Sequence, residues 1–223
     1  MVEQPQHSQY QNWPGWSTIP ARRNTAFTVW LTGLPGVGKT TQAQLVKKAL
    51  AARGYKVETI DSYVLSTWLQ KELHVEEVGE YPRNDYSHTA GYDAFVTYIC
   101  SILAHSGIIT ITTAVSPYQE ARIFAREQLA AFIEVYLYCD TPERQRRVCK
   151  QEHLPLMQDQ IYQLPTTPEL QLDTYKETPE RTALHIVEYL EMHGYIAPIW
   201  EMNETAAELG QIKARLQALG YLE

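Results

Sequence analysis

The sequence predicts an α/β protein: a three-layer sandwich whose mostly parallel, five-stranded sheet carries helices on both faces. Three observations predict it. Short β-rich runs alternate with amphipathic helical stretches, the order a parallel sheet requires because each crossover needs its own connecting segment. Several runs lack a polar alternation, as strands covered on both faces do. Residues 33–41, Asp61, Ser116-Pro117 and Asp140-Thr141-Pro142 collect at the carboxyl ends of those runs, where such sheets hold their ligands.

The elements follow in order. Residues 1–26 are polar and Gln-rich, with Trp13 and Trp16 around Pro14-Gly15, and read as an irregular N-terminal arm ahead of a domain spanning 27–223. FTVWLT (27–32) is the first strand. KTTQAQLVKKALAARG is helical, since Ala43, Val46, Ala49 and Leu50 share one face and Gly54 stops it. KVETID (56–61) is the second strand, followed by an irregular aromatic region at 74–91. A helix at 92–105 carries Phe95, Val96, Ile99, Ile102 and Leu103 as one stripe, and Gly107 closes it. IITITTAV (108–115) and FIEVYLYCD (132–140) are the third and fourth strands. Residues 143–168 form a lid region, and LQLDT (170–174) is a short last strand. Thr178 is an N-cap with Pro179 at the first helical position, opening a helix that runs to His193 and ends at Gly194. A final helix covers 203–219.

Composition narrows the function. A chain of 223 residues, 44% hydrophobic and 20% charged, fits one large domain with a full core. A net charge of −7 argues against a broad nucleic-acid-binding face. Cys100, Cys139 and Cys149 form no CxxC pair and the histidines do not cluster, which argues against a disulfide framework or structural zinc. With no run of 18 apolar residues and no signal-peptide core, the expectation is a soluble, cytoplasmic protein with neither membrane nor nucleic acid as partner.

TGLPGVGKTT (32–41) contains Gly33-x4-Gly38-Lys39-Thr40, the spacing of a phosphate-binding P-loop. Gly33, Gly36 and Gly38 supply the close backbone approach and positive φ, with Leu34, Pro35 and Val37 between them. Lys39 reaches the β- and γ-phosphates of a bound nucleotide, the Thr40 hydroxyl ligates Mg²⁺, and Thr41 continues into a helix whose free N–H groups face the anion. With a strand before and a helix after, the fold is of the P-loop NTPase type. A guanine switch would carry an Asn-Lys-x-Asp segment, which is absent, and a motor ATPase needs a longer chain. A small-molecule kinase fits, using ATP and Mg²⁺. Asp61, ending the second strand, is the candidate carboxylate for metal and acceptor, with a strand-end cap as its plainer role. ERQRRVCK (143–150) places Arg144, Arg146, Arg147 and Lys150 in the lid region, where they would either stabilise phosphoryl charge or form a solvated face.

Five ordered segments together resemble the adenylylsulfate kinase family, whose members transfer the ATP γ-phosphate to the 3′-hydroxyl of adenylyl sulfate. They are TGLPGVGKTT, SGIITITTAVSPYQEARIFARE (106–127), FIEVYLYCDTPERQRR, Tyr162 through TTPELQLDT, and HIVEYLEMHGYI. The resemblance implies that Lys39 and Thr40 bind ATP and Mg²⁺, with Asp61 beside the metal. It matches Ser116 to a serine traditionally given a phospho-acceptor role. In-line transfer needs only positioning and charge, so Ser116 is expected instead to shape the acceptor loop with Pro117 and Tyr118. Family members are commonly dimers, which implies a homodimer.

The departures fall mostly on the acceptor side. The family's Asp-Gly-Asp-Asn appears here as Asp61-Ser62-Tyr63-Val64, one carboxylate short. Its Asp-Arg-x-x-Asn-x-Arg stretch, whose arginines grip the acceptor's anionic groups, aligns to HTAGYDAF (88–95), where no arginine remains; Arg83 substitutes only if the loop is shifted. Its Arg-Asp-Pro-Lys beside adenine is Cys149-Lys150-Gln151-Glu152, and Tyr-Arg of the acceptor loop is Tyr118-Gln119. Each lost charge-assisted contact is worth about 1.5–3 kcal/mol. Two readings therefore stand beside adenylyl sulfate as acceptor. One is a kinase of another nucleotide-like or hydroxylated metabolite, and the other a catalytically silent nucleotide-binding domain.

Overall fold

Five strands hydrogen-bond in the order β2-β3-β1-β4-β5, and every pairing is parallel. They are β1 Thr28–Thr32, β2 Val57–Asp61, β3 Ile109–Thr113, β4 Phe132–Tyr138 and β5 Leu170–Asp173. The helices between and after them are α1 Lys39–Ala51, α2 Ser62–Leu73, α3 Tyr86–His105, α4 Gln119–Gln128, α5 Thr141–Cys149 and α6 Pro179–Met192. The structure, a computed structural model, describes residues 26–73, 86–149 and 161–198. The N-terminal arm up to residue 25, Arg83, residues 150–160 of the lid region and the helix expected at 203–219 lie outside the described residues.

Two cores face each other across the sheet. On one side Val29, Leu31, Ile133, Val135 and Leu137 pack with Val46 and Leu50 of α1 and Ile186, Val187 and Leu190 of α6. On the other, Trp30 and Phe132 pack with Val96 and Cys100 of α3 and with Ala125 of α4. Successive strand residues alternate between these faces, so β1 and β4 are apolar throughout only because both faces are covered.

The structure corrects the sequence reading at several points. The sheet is wholly rather than mostly parallel. Residues 86–91, expected to be irregular, are the first turns of α3. Ser, His, Thr and Gly favour helix weakly, but Tyr92, Val96 and Cys100 bury one stripe, and a Cβ on Gly91 would meet nothing within 4 Å. Ile102, expected on the buried stripe, is 48% exposed. Helix α2 was not expected at all. It starts where Asp61 Oδ1 accepts the backbone N–H of Val64 at 3.2 Å, a side-chain cap on the third helical residue.

Candidate active site

The P-loop leaves β1 at Thr32 and enters α1 at Lys39. Gly33, Gly36 and Gly38 take φ of 138°, 86° and 95°. At Gly33 the need is steric as well, because a Cβ would lie 2.2 Å from the Leu137 carbonyl oxygen. At Gly36 it would lie 2.7 Å from Val148 and 2.9 Å from the Arg144 carbonyl of α5. The loop is braced from behind by Thr174, whose Oγ1 donates to the Val37 carbonyl (2.8 Å) and accepts from Arg147 Nη1 (3.1 Å). Lys39 Nζ crosses the loop to the carbonyls of Gly33 (2.7 Å) and Leu34 (3.2 Å). Its charge thus sits at the N-terminus of α1, where backbone N–H groups and the helix dipole also favour an anion.

Thr40 and Asp61 meet. Thr40 Oγ1 donates to Asp61 Oδ2 at 2.9 Å, although 21 residues separate them, because β2 ends beside the opening turn of α1. Asp61 caps α2 with one oxygen and accepts from Thr40 with the other. A hydroxyl and a carboxylate oxygen are the all-oxygen donors that Mg²⁺ accepts, alongside waters it does not shed easily.

The Ser116 loop follows β3. Ser116 is fully buried, and at φ 42° it is the one non-glycine among the described residues in the left-handed region. Its hydroxyl accepts from Trp30 Nε1 (3.2 Å) and donates to Asp93 Oδ1 (3.0 Å). Those two bonds orient the hydroxyl inward. The Ser116 carbonyl accepts from Arg122 Nη1. Pro117 accepts from the backbone N–H of Gln163 at 2.8 Å. On α3, the Tyr92 hydroxyl donates to the Ser62 carbonyl. Asp93 and Ala94 are buried, and Phe95 packs against the Trp30 core.

The lid-region arginines that are described have partners. Arg146 grips Glu143 with two bonds of 2.7 Å, and Arg147 Nε adds a third of 2.7 Å. These guanidinium groups hold the Glu143 carboxyl well down, at about 2. Arg144 is buried against the loop at Gly36.

Two site groups escaped the sequence reading: Asp93, and Arg122 with its partner Glu134. A signal for the second pair was there. Glu134 sits in the middle of FIEVYLY, and a carboxylate in a strand buried on both faces demands a cation. No comparable pattern marks Asp93, whose neighbours in sequence are aromatic and small.

The fold and loop define the class: a P-loop kinase, a phosphotransferase that acts on hydroxyl groups. The family model described as adenylylsulphate kinase matches residues 25–173. The chain is 34% identical over 184 residues to an adenylyl-sulfate kinase of Halothermothrix orenii, covering 78% of this chain and 95% of that one. It is 31% identical over 181 residues to a probable adenylyl-sulfate kinase of Pyrococcus abyssi, covering 76% and 98%. Among solved structures it resembles the Mycobacterium tuberculosis APS kinase CysC in complex with AMPPNP and APS, with a TM-score of 0.61, 25% identity and coverage of 75% and 98%. The chain belongs to the adenylyl-sulfate kinase family.

Proposed function

We propose that this chain is a Mg²⁺-dependent kinase that transfers the γ-phosphoryl group of ATP to the 3′-hydroxyl of adenylyl sulfate. The observation that carries the reading is that Lys39, Thr40 and Asp61 gather at the carboxyl ends of the strands, with the Ser116 loop following the strand next to β1. In this reading the N–H groups of residues 33–41 and Lys39 bind the triphosphate. Thr40 and Asp61 hold the metal. When bound, Mg²⁺ supplies neutralisation of the phosphate oxygens. Residues 116–118 place the acceptor hydroxyl in line, and Ser116 acts through loop shape because its hydroxyl is committed to Trp30 and Asp93. Free thiols at Cys100 and Cys139 suit a reducing compartment, and the reading places the enzyme in the cytoplasm. A homodimer is the assembly it takes from the family.

One observation favours a second reading, a less anionic hydroxylated acceptor. The stretch HTAGYDAF (88–95), which aligns with the family's arginine-bearing segment, holds no arginine, and beside the Ser116 loop the Gln119 amide is bonded to Thr166 at 2.7 Å. A single assay separates the readings. Protein with Mg·ATP and adenylyl sulfate is followed for both ADP and the 3′-phosphorylated product. The expected result is stoichiometric formation of the two, reduced about 10²–10³-fold or more by Lys39→Ala. Turnover on another hydroxylated metabolite and none on adenylyl sulfate would establish the second reading, and ATP binding with no turnover on either would establish a silent domain.

A further inference from the structure

Arg122 of α4 is 2% exposed, and each side of its guanidinium has a task. Nε lies 2.9 Å from Glu134 Oε1 on β4, a contact of charge with charge. Nη1 donates to the Ser116 carbonyl at 2.5 Å and Nη2 to the Gln163 carbonyl at 2.7 Å. The same plane lies over the Tyr162 ring, 5.5 Å from its centroid. The two carbonyls belong to segments 47 residues apart, and those segments are also bonded directly. The N–H of Gln119 donates to Gln163 Oε1 (2.8 Å), the N–H of Gln163 to the Pro117 carbonyl (2.8 Å), and Gln119 Nε2 to Thr166 Oγ1, itself 47 residues on from Gln119 (2.7 Å).

The paired segments are in turn keyed to the phosphate loop. Thr32 Oγ1 spends its single proton on the Val115 carbonyl at 2.7 Å, so the Tyr162 hydroxyl 3.0 Å away is the donor to Thr32. Thr32 immediately precedes Gly33. The charges balance locally: Arg126 bonds both Glu134 and Glu169, so two guanidinium groups and two carboxylates share one half-buried network.

We propose that Arg122 is a positioning residue for the phosphoryl acceptor. It joins residues 116–119 and 163–166 into one unit registered on the P-loop, and so sets acceptor affinity and alignment while leaving the nucleotide alone. This rests on the reading that the acceptor sits at the Ser116 loop. A planar fork is required, because one cation must serve a carboxylate and two carbonyls from different segments at once. An ammonium is a point charge and serves fewer.

The test compares Arg122→Met, Arg122→Lys and Gln163→Ala with the natural chain, using ATP and adenylyl sulfate as substrates and amide hydrogen exchange as a second readout. For Arg122→Met the acceptor KM should rise about 10-fold and kcat fall up to about 10²-fold, with the ATP KM nearly unchanged. Arg122→Lys should resemble Arg122→Met rather than the natural chain. Gln163 is exposed, so Gln163→Ala keeps the question open to experiment if the Arg122 variants fail to fold; it should raise the acceptor KM a few-fold. Exchange should quicken in 116–119 and 163–166 together while α1 stays protected. Equal effects on both KM values, a functional Arg122→Lys, an unaltered Gln163→Ala, or exchange that quickens everywhere or in one segment only would overturn the proposal. A natural chain inert towards adenylyl sulfate would sink the acceptor assignment instead, and the paired exchange would still decide whether the two segments move as one.

Discussion

Gly33 is where the phosphate site has least freedom. Its φ of 138° is one that side chains avoid, and the space a Cβ would fill is taken by a backbone carbonyl of β4, which cannot swing aside as a side-chain tip would. Gly33→Ala should therefore displace the loop from β4, weakening ATP binding at least about 10²-fold and lowering Tm; titration with a fluorescent ATP analogue and a thermal melt would check both. Gly38 offers a contrast, since the atom nearest its missing Cβ is the movable tip of Arg147 at 4.0 Å. At this scale the donor site was legible, because a phosphate loop is built from local spacing and glycine's backbone freedom. Asp93 and Arg122 were not, since their meaning comes from partners 23 and 41 residues away.

At the scale of elements, α4, β4 and the residue that leads into β5 are joined by charge. Arg126 bonds Glu169 with both Nη atoms, and Glu169 Oε2 also accepts the backbone N–H of Glu134 at 2.7 Å. Burial pushes the Glu169 carboxyl up, but these donors outweigh it and hold it below its ordinary 4.5. A carboxyl lowered in the folded state contributes stability that is present above the unfolded value and fades as pH falls through the folded one. Glu169→Gln should thus cost about 1.5–3 kcal/mol at pH 7. The gap between variant and natural chain should close progressively below about pH 4.5, where both side chains become neutral; melts at pH 7, 5, 4 and 3 would show it. The elements that escaped the sequence did so for other reasons. Helix α2 opens on an aspartate that also reads as a strand end, and the first turns of α3 are written in residues that only tertiary packing makes helical.

At the scale of the whole molecule, α6 is held against the sheet by a core that also takes in α1 and Val37 of the phosphate loop. Ile186 and Leu190 are fully buried against the face of the sheet opposite Trp30, in the cluster that includes Val46 and Leu50 of α1. Ile186→Ala should cost about 2–5 kcal/mol, seen as a lower urea midpoint, while the folded fraction keeps its KM for ATP. The architecture was legible because alternation of strand and helix is a property of the entire chain. The sheet proved wholly parallel for the reason that four crossovers of this kind leave no strand to reverse.

That strand order carries a consequence for how such an enzyme can change its diet. The phosphate loop leaves β1 and the Ser116 loop leaves β3, and the two strands are adjacent, with Thr28 opposite Thr110 and Leu31 opposite Thr113. The two loops therefore leave the sheet from strands about 4.8 Å apart, a separation inherited from the sheet rather than from any side chain. A slip of one residue would turn every side chain of β3 to the opposite face, so this ruler cannot be adjusted in small steps. A change of acceptor on this frame falls to the segments the strands carry rather than to the strands, and this chain's departures at residues 62–64, 88–95 and 119 lie in helices.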